Sequence, residues 1–432
     1  MILRIESLDA EGRGVARNDE GKVVFVEGAL PGELVEAQTV RRKASFDLAR
    51  ATAVLQPASG RRVPRCPNFG TCGGCATQHA DARTQLAAKQ RWLEDCLARL
   101  GKVRADSMLP IVYGEEWGYR NRARLTVRRV AKKGGTLVGF HERRSSYVAD
   151  MKCCEVLPAR ISTLLPDLRE LVESLSIRER LPQIEVALGD ACDVLVFRIL
   201  EPLTADDEAK LRTFAEARGV SVWLQPAGPG SASPFHPLPA PPLDYALPEF
   251  GVRIAFLPTD FTQVNHAVNR VLVGRAVRLL DPQPGEAVAD LFCGLGNFSL
   301  PIARLGARVL GLEGASGLVE RARENAVANG LHDVARFATE DLFHIDGARL
   351  TELGPFDKLL VDPPREGALE VAKALPEAWP RRIVYVSCDP ATLARDAGLL
   401  VHVKGFTLAA AGVVNMFPHT AHVESIALFE RP

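Results

Sequence analysis

The sequence lacks a net charge, a long apolar run and a leader-like N-terminus. Its 53 Lys and Arg balance 53 Asp and Glu, so no overall field draws it to a polyanion. No apolar stretch approaches the ~18 residues that cross a bilayer. The opening Met1-Ile2-Leu3-Arg4-Ile5-Glu6 carries an acid early and has no apolar core of a signal peptide. These absences lead us to expect a cytoplasmic protein with no membrane partner. In that compartment the nine cysteines argue for metal or catalysis and against disulfides.

The balance of charge is global and not local. Residues 41–65 hold seven basic side chains against Asp47, and residues 117–149 hold nine against Glu142. Local patches of this kind set the field that a nucleic acid meets. At 432 residues, with 47% hydrophobic and 25% charged content, the chain is an ordinary globular one too long for a single core.

Residues 1–56 read as short strands broken by turns at Gly12, Gly14 and Gly32, the pattern of a small β-barrel. Only Phe25 and Phe46 are aromatic there, so phosphate contacts are expected to outweigh base stacking. Next come Cys66, Cys72 and Cys75, spaced by five and then two residues and softened by Gly70, Gly73 and Gly74. A thiolate group of this kind holds zinc or an iron–sulfur centre, and needs a fourth ligand. Cys153 and Cys154 are the later candidates, since Cys96 lies on a helical pattern and Cys192 stands alone.

Residues 81–101 form an amphipathic helix that Asp81 can cap and Gly101 can end. From Tyr119 to Arg128 the chain alternates, which places Arg120, Arg122, Arg124 and Arg128 on one face of a strand. Such a row either meets phosphates or pairs with acids on a neighbouring strand. Residues 161–219 alternate helix and strand as a compact α+β unit, and a Pro- and Gly-rich stretch, 225–248, follows. We expect three domains: 1–56, 57–250 and 251–432.

The last part repeats strand and helix. Ala287–Phe292 is a strand followed by the turn Cys293-Gly294-Leu295-Gly296-Asn297, whose glycines let backbone approach a ligand. The next strand ends at Glu313, an acid able to accept ribose hydroxyls. Later strand ends deliver Glu340-Asp341, Asp362-Pro363-Pro364-Arg365 and Ser387-Cys388-Asp389-Pro390. Carboxylates and a thiol thus gather at one rim, where open α/β sheets bind ligands. Cys388 stands where a nucleophile would, although a free thiol is more often a small hydrophobe.

Gly12–Ala16 and Val26–Glu33 resemble the TRAM domain, an OB-like barrel of RNA-modifying enzymes. The Gly-x-Gly-Asn turn and Glu313 resemble a class I S-adenosylmethionine-dependent methyltransferase of Rossmann-like fold. With Phe261–Asn265, Asp362–Arg365, Val386–Pro390 and Met416–Ser425, the chain resembles the RNA uracil-C5 methyltransferases. Its barrel and cysteine segment point to the members that act on large-subunit ribosomal RNA.

That resemblance implies an α/β and β multidomain protein: an OB-like TRAM barrel, a central α+β domain with a 4Fe–4S cluster, and a C-terminal methyltransferase domain. It places the cluster on Cys66, Cys72, Cys75 and Cys154, and S-adenosyl-L-methionine against Gln263, Phe292, Asn297, Glu313, Asp341 and Asp362. It makes Cys388 the nucleophile that adds to uracil C6, Glu424 the general base, and the partner a large-subunit rRNA, with a monomer expected. Asp341 and Asp389 stand where Asn is usual, and Asp389 sets an acid beside the thiol, which opposes ionisation unless it turns away. The alternatives are another rRNA or a tRNA uridine as target, an amino-methyltransferase suggested by Asp362-Pro363-Pro364, and a non-enzymatic iron–sulfur RNA-binding regulator.

Overall fold

A computed structural model describes residues 1–431. Six short strands near the N-terminus run in the spatial order Ile2–Arg4, Leu34–Arg42, Phe46–Gln56, Val23–Glu27, Gly14–Arg17 and Ser7–Leu8. The sheet closes because one stretch of chain serves both ends. Leu3 pairs with Val35, while Leu8 pairs with Gly14. Register shifts between the two longest strands bend them. Inward positions carry Val24, Val26, Val35, Ala37 and Ala49, side chains small enough for so narrow an interior. Gly14 has no space for a side chain, since a Cβ there would lie 2.8 Å from Ile5 and 3.1 Å from Ala29.

A second sheet runs Ser233–His236, Ser221–Gln225, Asp193–Arg198, Gln183–Leu188, Arg122–Val130 and Gly135–Gly139. Its central strands, Asp193–Arg198 and Gln183–Leu188, are buried on both faces. Leu195 and Phe197 pack with Leu168, Val172 and Leu211 of the helices Leu164–Ser174 and Ala205–Arg218. The alternate residues Val194 and Val196 pack with Tyr245, Leu272 and Ala276 on the other side.

The C-terminal sheet has eight strands in the order Ala335–Thr339, Arg308–Glu313, Ala287–Leu291, Lys358–Val361, Arg382–Ser387, Glu424–Glu430, Thr407–Val414 and Ser107–Met108. The first five are parallel. Glu424–Glu430 then runs antiparallel to both of its neighbours. Chain order reverses between Ala287–Leu291 and Lys358–Val361, and this switch point opens a crevice at the carboxyl ends.

Two elements N-terminal to the central sheet join this C-terminal layer. Asp81 caps the helix Ala82–Cys96 by accepting from Thr84 N, and Leu93, Cys96 and Leu97 pack among Leu393, Ala394 and Ala397. Ser107–Met108 adds the eighth strand. The stretch expected as an irregular linker contains two strands, Ser233–His236 and Asp244–Leu247, and the second pairs with Val252–Ala255. Among the described residues no helix is long and apolar enough to cross a membrane.

Candidate active site

Sheet register brings Cys388 and Glu424 together. Ser387 is the partner of Ser425 across antiparallel strands, so one step further sets Cys388 beside Glu424. Ser425 Oγ donates to the Ser387 carbonyl at 3.1 Å and fixes the pair of strands at that point. Cys388 is half-buried, whereas Glu424 is only 2% exposed. Burial pushes the thiol up to about 12, the negative Glu424 and Asp362 add to this, and Arg365 opposes it. Burial, and then Asp362, holds the Glu424 carboxyl well above the ordinary carboxylate range. Asp362 is itself raised by burial. A thiol and a proton-accepting carboxyl thus lie together where charge is poorly solvated, with the exposed Arg365 guanidinium near the thiol.

Asp389 does not face the thiol as a free charge. It is the N-cap of the helix Pro390–His402, and its Oδ1 accepts from Ala391 N at 2.8 Å. The helix N-terminus it caps lies directly after Cys388, and such an end favours negative charge nearby.

The crevice beside this pair is built from strand ends. Phe292 leaves the strand Ala287–Leu291 with φ of +63°, followed by Gly294 at +53° and Gly296 at +89°. This left-handed turn is open to glycine and strained for phenylalanine. Glu313 accepts from Gly294 N at 3.2 Å and Ala315 N at 3.0 Å, which orients its carboxylate over the turn. Asn297 and Asn269 exchange two amide hydrogen bonds, and Tyr245 Oη donates to Asn297 Oδ1 at 2.9 Å. Gln263 is buried at 8% exposure. Thr262 Oγ1 and Asn265 Nδ2 on the same segment, and Asp290 Oδ1 on the strand Ala287–Leu291, are buried without a partner, which is costly unless a ligand supplies one. Asp341 stands apart from the others. Its carboxylate is exposed and bonded to His344 Nδ1 at 2.7 Å and Phe343 N at 3.1 Å, and the His344 contact holds it below the usual range.

The four cysteines expected to hold a cluster also meet. Cys66, Cys72, Cys75 and Cys154 line one cavity with Phe69, Phe140 and Met151, and Cys153 is not part of that lining. Cys154 N donates to Ser162 Oγ, and Asn68 Nδ2 donates to the Cys153 carbonyl, which fixes the second cysteine segment. Burial raises the Cys72 thiol, and lifts Cys75 to about 11 and Cys154 to about 12. Among the described residues no three or more His, Cys, Asp or Glu converge to hold a single metal ion.

The expected arginine row divides. Arg120 precedes the strand Arg122–Val130. Arg124 lies opposite Glu185 in the register and pairs with it at 3.2 Å, while Arg120 Nε and Arg122 Nη1 are buried without partners. Three contributors escaped the sequence reading. Arg365 moderates the thiol, and only its place in the Asp-Pro-Pro-Arg segment hinted at that. Phe343 sets its ring 5.5 Å from that of Phe292, with no sequence signal. Lys89 shares the buried stripe Gln85, Lys89, Leu93 and Cys96, and two polar residues on a buried stripe were a legible anomaly.

Comparison with known proteins agrees with this geometry. Residues 252–432 match the tRNA (Uracil-5-)-methyltransferase family, and residues 3–51 match the TRAM domain. The chain is 63% identical over 429 residues to the 23S rRNA (uracil(1939)-C(5))-methyltransferase RlmD of Nitrosospira multiformis, covering 99% of this chain and 98% of that protein. It is 62% identical over 431 residues to the enzyme of the same name from Thiobacillus denitrificans, covering 100% and 99%. Its fold is similar to that of Pyrococcus abyssi tRNA (uracil-54, C5)-methyltransferase in complex with S-adenosyl-L-homocysteine, with a TM-score of 0.77 at 23% identity over 99% of this chain and 100% of the other. With near-complete coverage at this identity, the chain belongs to the RlmD group of the RNA uracil-C5 methyltransferases.

Proposed function

We propose that this S-adenosylmethionine-dependent enzyme methylates C5 of a uridine in 23S rRNA, the uridine its relatives carry in their name as 1939. The observation that carries the reading is the register-fixed meeting of Cys388 and Glu424. Uracil C5 is too weak a nucleophile to take a methyl group unaided. Attack of the Cys388 sulfur on C6 forms an S–C6 bond and moves the C5–C6 π pair into an enolate, which makes C5 reactive. The cofactor supplies a methyl group on a sulfonium, and C5 takes it. C5 then carries both the methyl and its original hydrogen. Glu424 removes that hydrogen as a proton, the electron pair re-forms C5=C6, and the Cys388 thiolate leaves.

The environment suits these roles. A buried Glu424 with a raised pKa is a stronger base once ionised than an exposed carboxylate. The thiol held up at about 12 is mostly protonated at neutral pH, so its proton must pass to water as the half-buried sulfur attacks, while Arg365 and the helix end that Asp389 caps stabilise the charge developing on sulfur. Gln263, Phe292, Asn297, Glu313 and Asp362 surround the cofactor crevice. Asp341 is turned to His344. A stacked uracil cannot be reached, so the target base is flipped into the pocket. Of the arginine row, Arg128, exposed and without an ion pair among the described residues, is the guanidinium left to meet its phosphates.

Cys66, Cys72, Cys75 and Cys154 are the residues that would hold a 4Fe–4S cluster. The donor set fits, since four thiols line a common space and have no other use. Zinc at about 2.3 Å from each sulfur draws its ligands to one point, whereas thiols spread around a cavity suit a cluster. Its place is structural, because methyl transfer needs no electron acceptor. The deciding experiment is methylation of unmodified 23S rRNA and of unmodified tRNA by the purified enzyme, mapped by mass spectrometry. One 5-methyluridine in 23S rRNA is expected. Methylation of tRNA alone overturns the substrate.

A further inference from the structure

Residues 415–423 connect the strands Thr407–Val414 and Glu424–Glu430 and deliver Glu424 into the site. Few of this connection's hydrogen bonds are its own. Asn415 N donates to the Val112 carbonyl at 2.7 Å, and Ala76 N and Thr77 N donate to the His419 carbonyl at 2.8 and 3.0 Å. Gln85 takes the His419 backbone N–H on its Oε1 at 2.8 Å and sets its Nε2 3.2 Å from His419 Nδ1. Lys89 Nζ donates to Asn415 Oδ1 at 2.7 Å and to the Phe417 carbonyl at 2.8 Å. Tyr119 Oη donates to the Pro418 carbonyl at 3.0 Å. Trp117 stacks on the His419 ring at 3.9 Å.

Two features show that these bonds impose a shape. His419 has φ of +64°, a conformation that costs a non-glycine residue free energy and persists only where surroundings over-determine it. Lys89 is 4% exposed, and its ammonium has two neutral acceptors and no carboxylate. Burial without a counter-ion is costly and lowers the ammonium to about 7, and Lys89 can donate to both acceptors whether charged or neutral, so its contribution lies in what it holds.

We propose that Gln85, Lys89 and Tyr119 are positioning residues that hold the 415–423 connection so that Glu424 reaches the proton on C5. The proposal rests on Glu424 being the base. It separates the clamp from the earlier steps: Cys388 is held by its own strand and helix, so thiol addition and methyl transfer proceed without the clamp, and release of the product does not. The residues 76–119 thereby serve the second half of the reaction.

Single-turnover reactions with a 23S rRNA fragment and methyl-labelled S-adenosylmethionine test this. Lys89→Met and Tyr119→Phe should raise the labelled enzyme–RNA adduct on a denaturing gel by about tenfold over the wild type, a loss of roughly one decade in release rate. KM for both substrates should change little, and Lys89→Arg, which keeps the donors, should restore release in part. Tyr119→Phe removes a single oxygen and guards against a folding failure in Lys89→Met. Adduct trapping by Glu424→Gln but by neither clamp variant overturns the inference alone. No trapping by Glu424→Gln overturns the reading of Glu424, and this inference with it.

Discussion

The two thiol sites of this protein are held by different means. Cys388 and Glu424 are brought together by antiparallel register, with Ser387 opposite Ser425 and Ser425 Oγ donating to the Ser387 carbonyl. The four cysteines expected to hold a cluster lie in segments without helix or long strand, around Cys66–Cys75 and Cys154, and surround a cavity. A sheet positions side chains whether or not a ligand is present. Thiols gathered from loops, with desolvation raising Cys72, Cys75 and Cys154, would depend on the group proposed for them. The first site should therefore tolerate loss of its reactive group without structural cost, and the second should not.

The largest effect expected is on activity. Cys388→Ala should lower methyl transfer by at least about 1,000-fold, as for loss of a nucleophile elsewhere, while calorimetry finds cofactor binding and the thermal midpoint near the wild type. Substantial turnover would break the covalent route and favour direct transfer to an exocyclic nitrogen. Next, Glu424→Gln should transfer the methyl once and remain bonded to the RNA, visible as a slow-migrating species on a denaturing gel.

A pH profile sharpens the same site. The Cys388 thiol is raised to about 12 and Glu424 is raised too, so both reactive forms become more populated as pH increases. Between about pH 6 and 9 the single-turnover rate should climb without the plateau that an ordinary thiol, of pKa ~8.5, would give. A plateau near 7 would mean that bound substrates pull the thiol down strongly.

The smallest effect on chemistry and the largest on structure belong to the second site. Cys72→Ser should lose iron and inorganic sulfide, measured by absorbance and metal analysis, and lower the thermal midpoint by ~5 °C, about 2 kcal/mol in a domain of this size. Full retention of the midpoint would erase the contrast between the two sites.

Much of the C-terminal sheet was legible because buried parallel strands write themselves as apolar runs ending in functional residues. Asp290, Glu313, Asp362 and Cys388 all lie on or just after such runs. The arginine row was legible only as a row. Whether Arg124 meets a phosphate or Glu185 depends on the register of a strand some sixty residues away, which alternation cannot reveal. The charge beside Cys388 was visible, but its direction was not, since only the start of the helix Pro390–His402 turns Asp389 onto Ala391 N. Helix Ala82–Cys96 was placed correctly in sequence, yet its packing on the C-terminal layer is a long-range contact.

By itself the sequence determined the element order, the thiols, the acids at strand ends and the kinship of the chain, because these depend on residue type and local spacing. Only the tertiary structure decided which groups touch. Cys388 meets Glu424 through strand pairing, the cysteines of two distant segments share one cavity, and Lys89 reaches the loop before Glu424. Each of those contacts joins residues far apart in the chain. Their geometry is set by sheet register and core packing, which act across the fold and leave no mark in any short stretch of sequence.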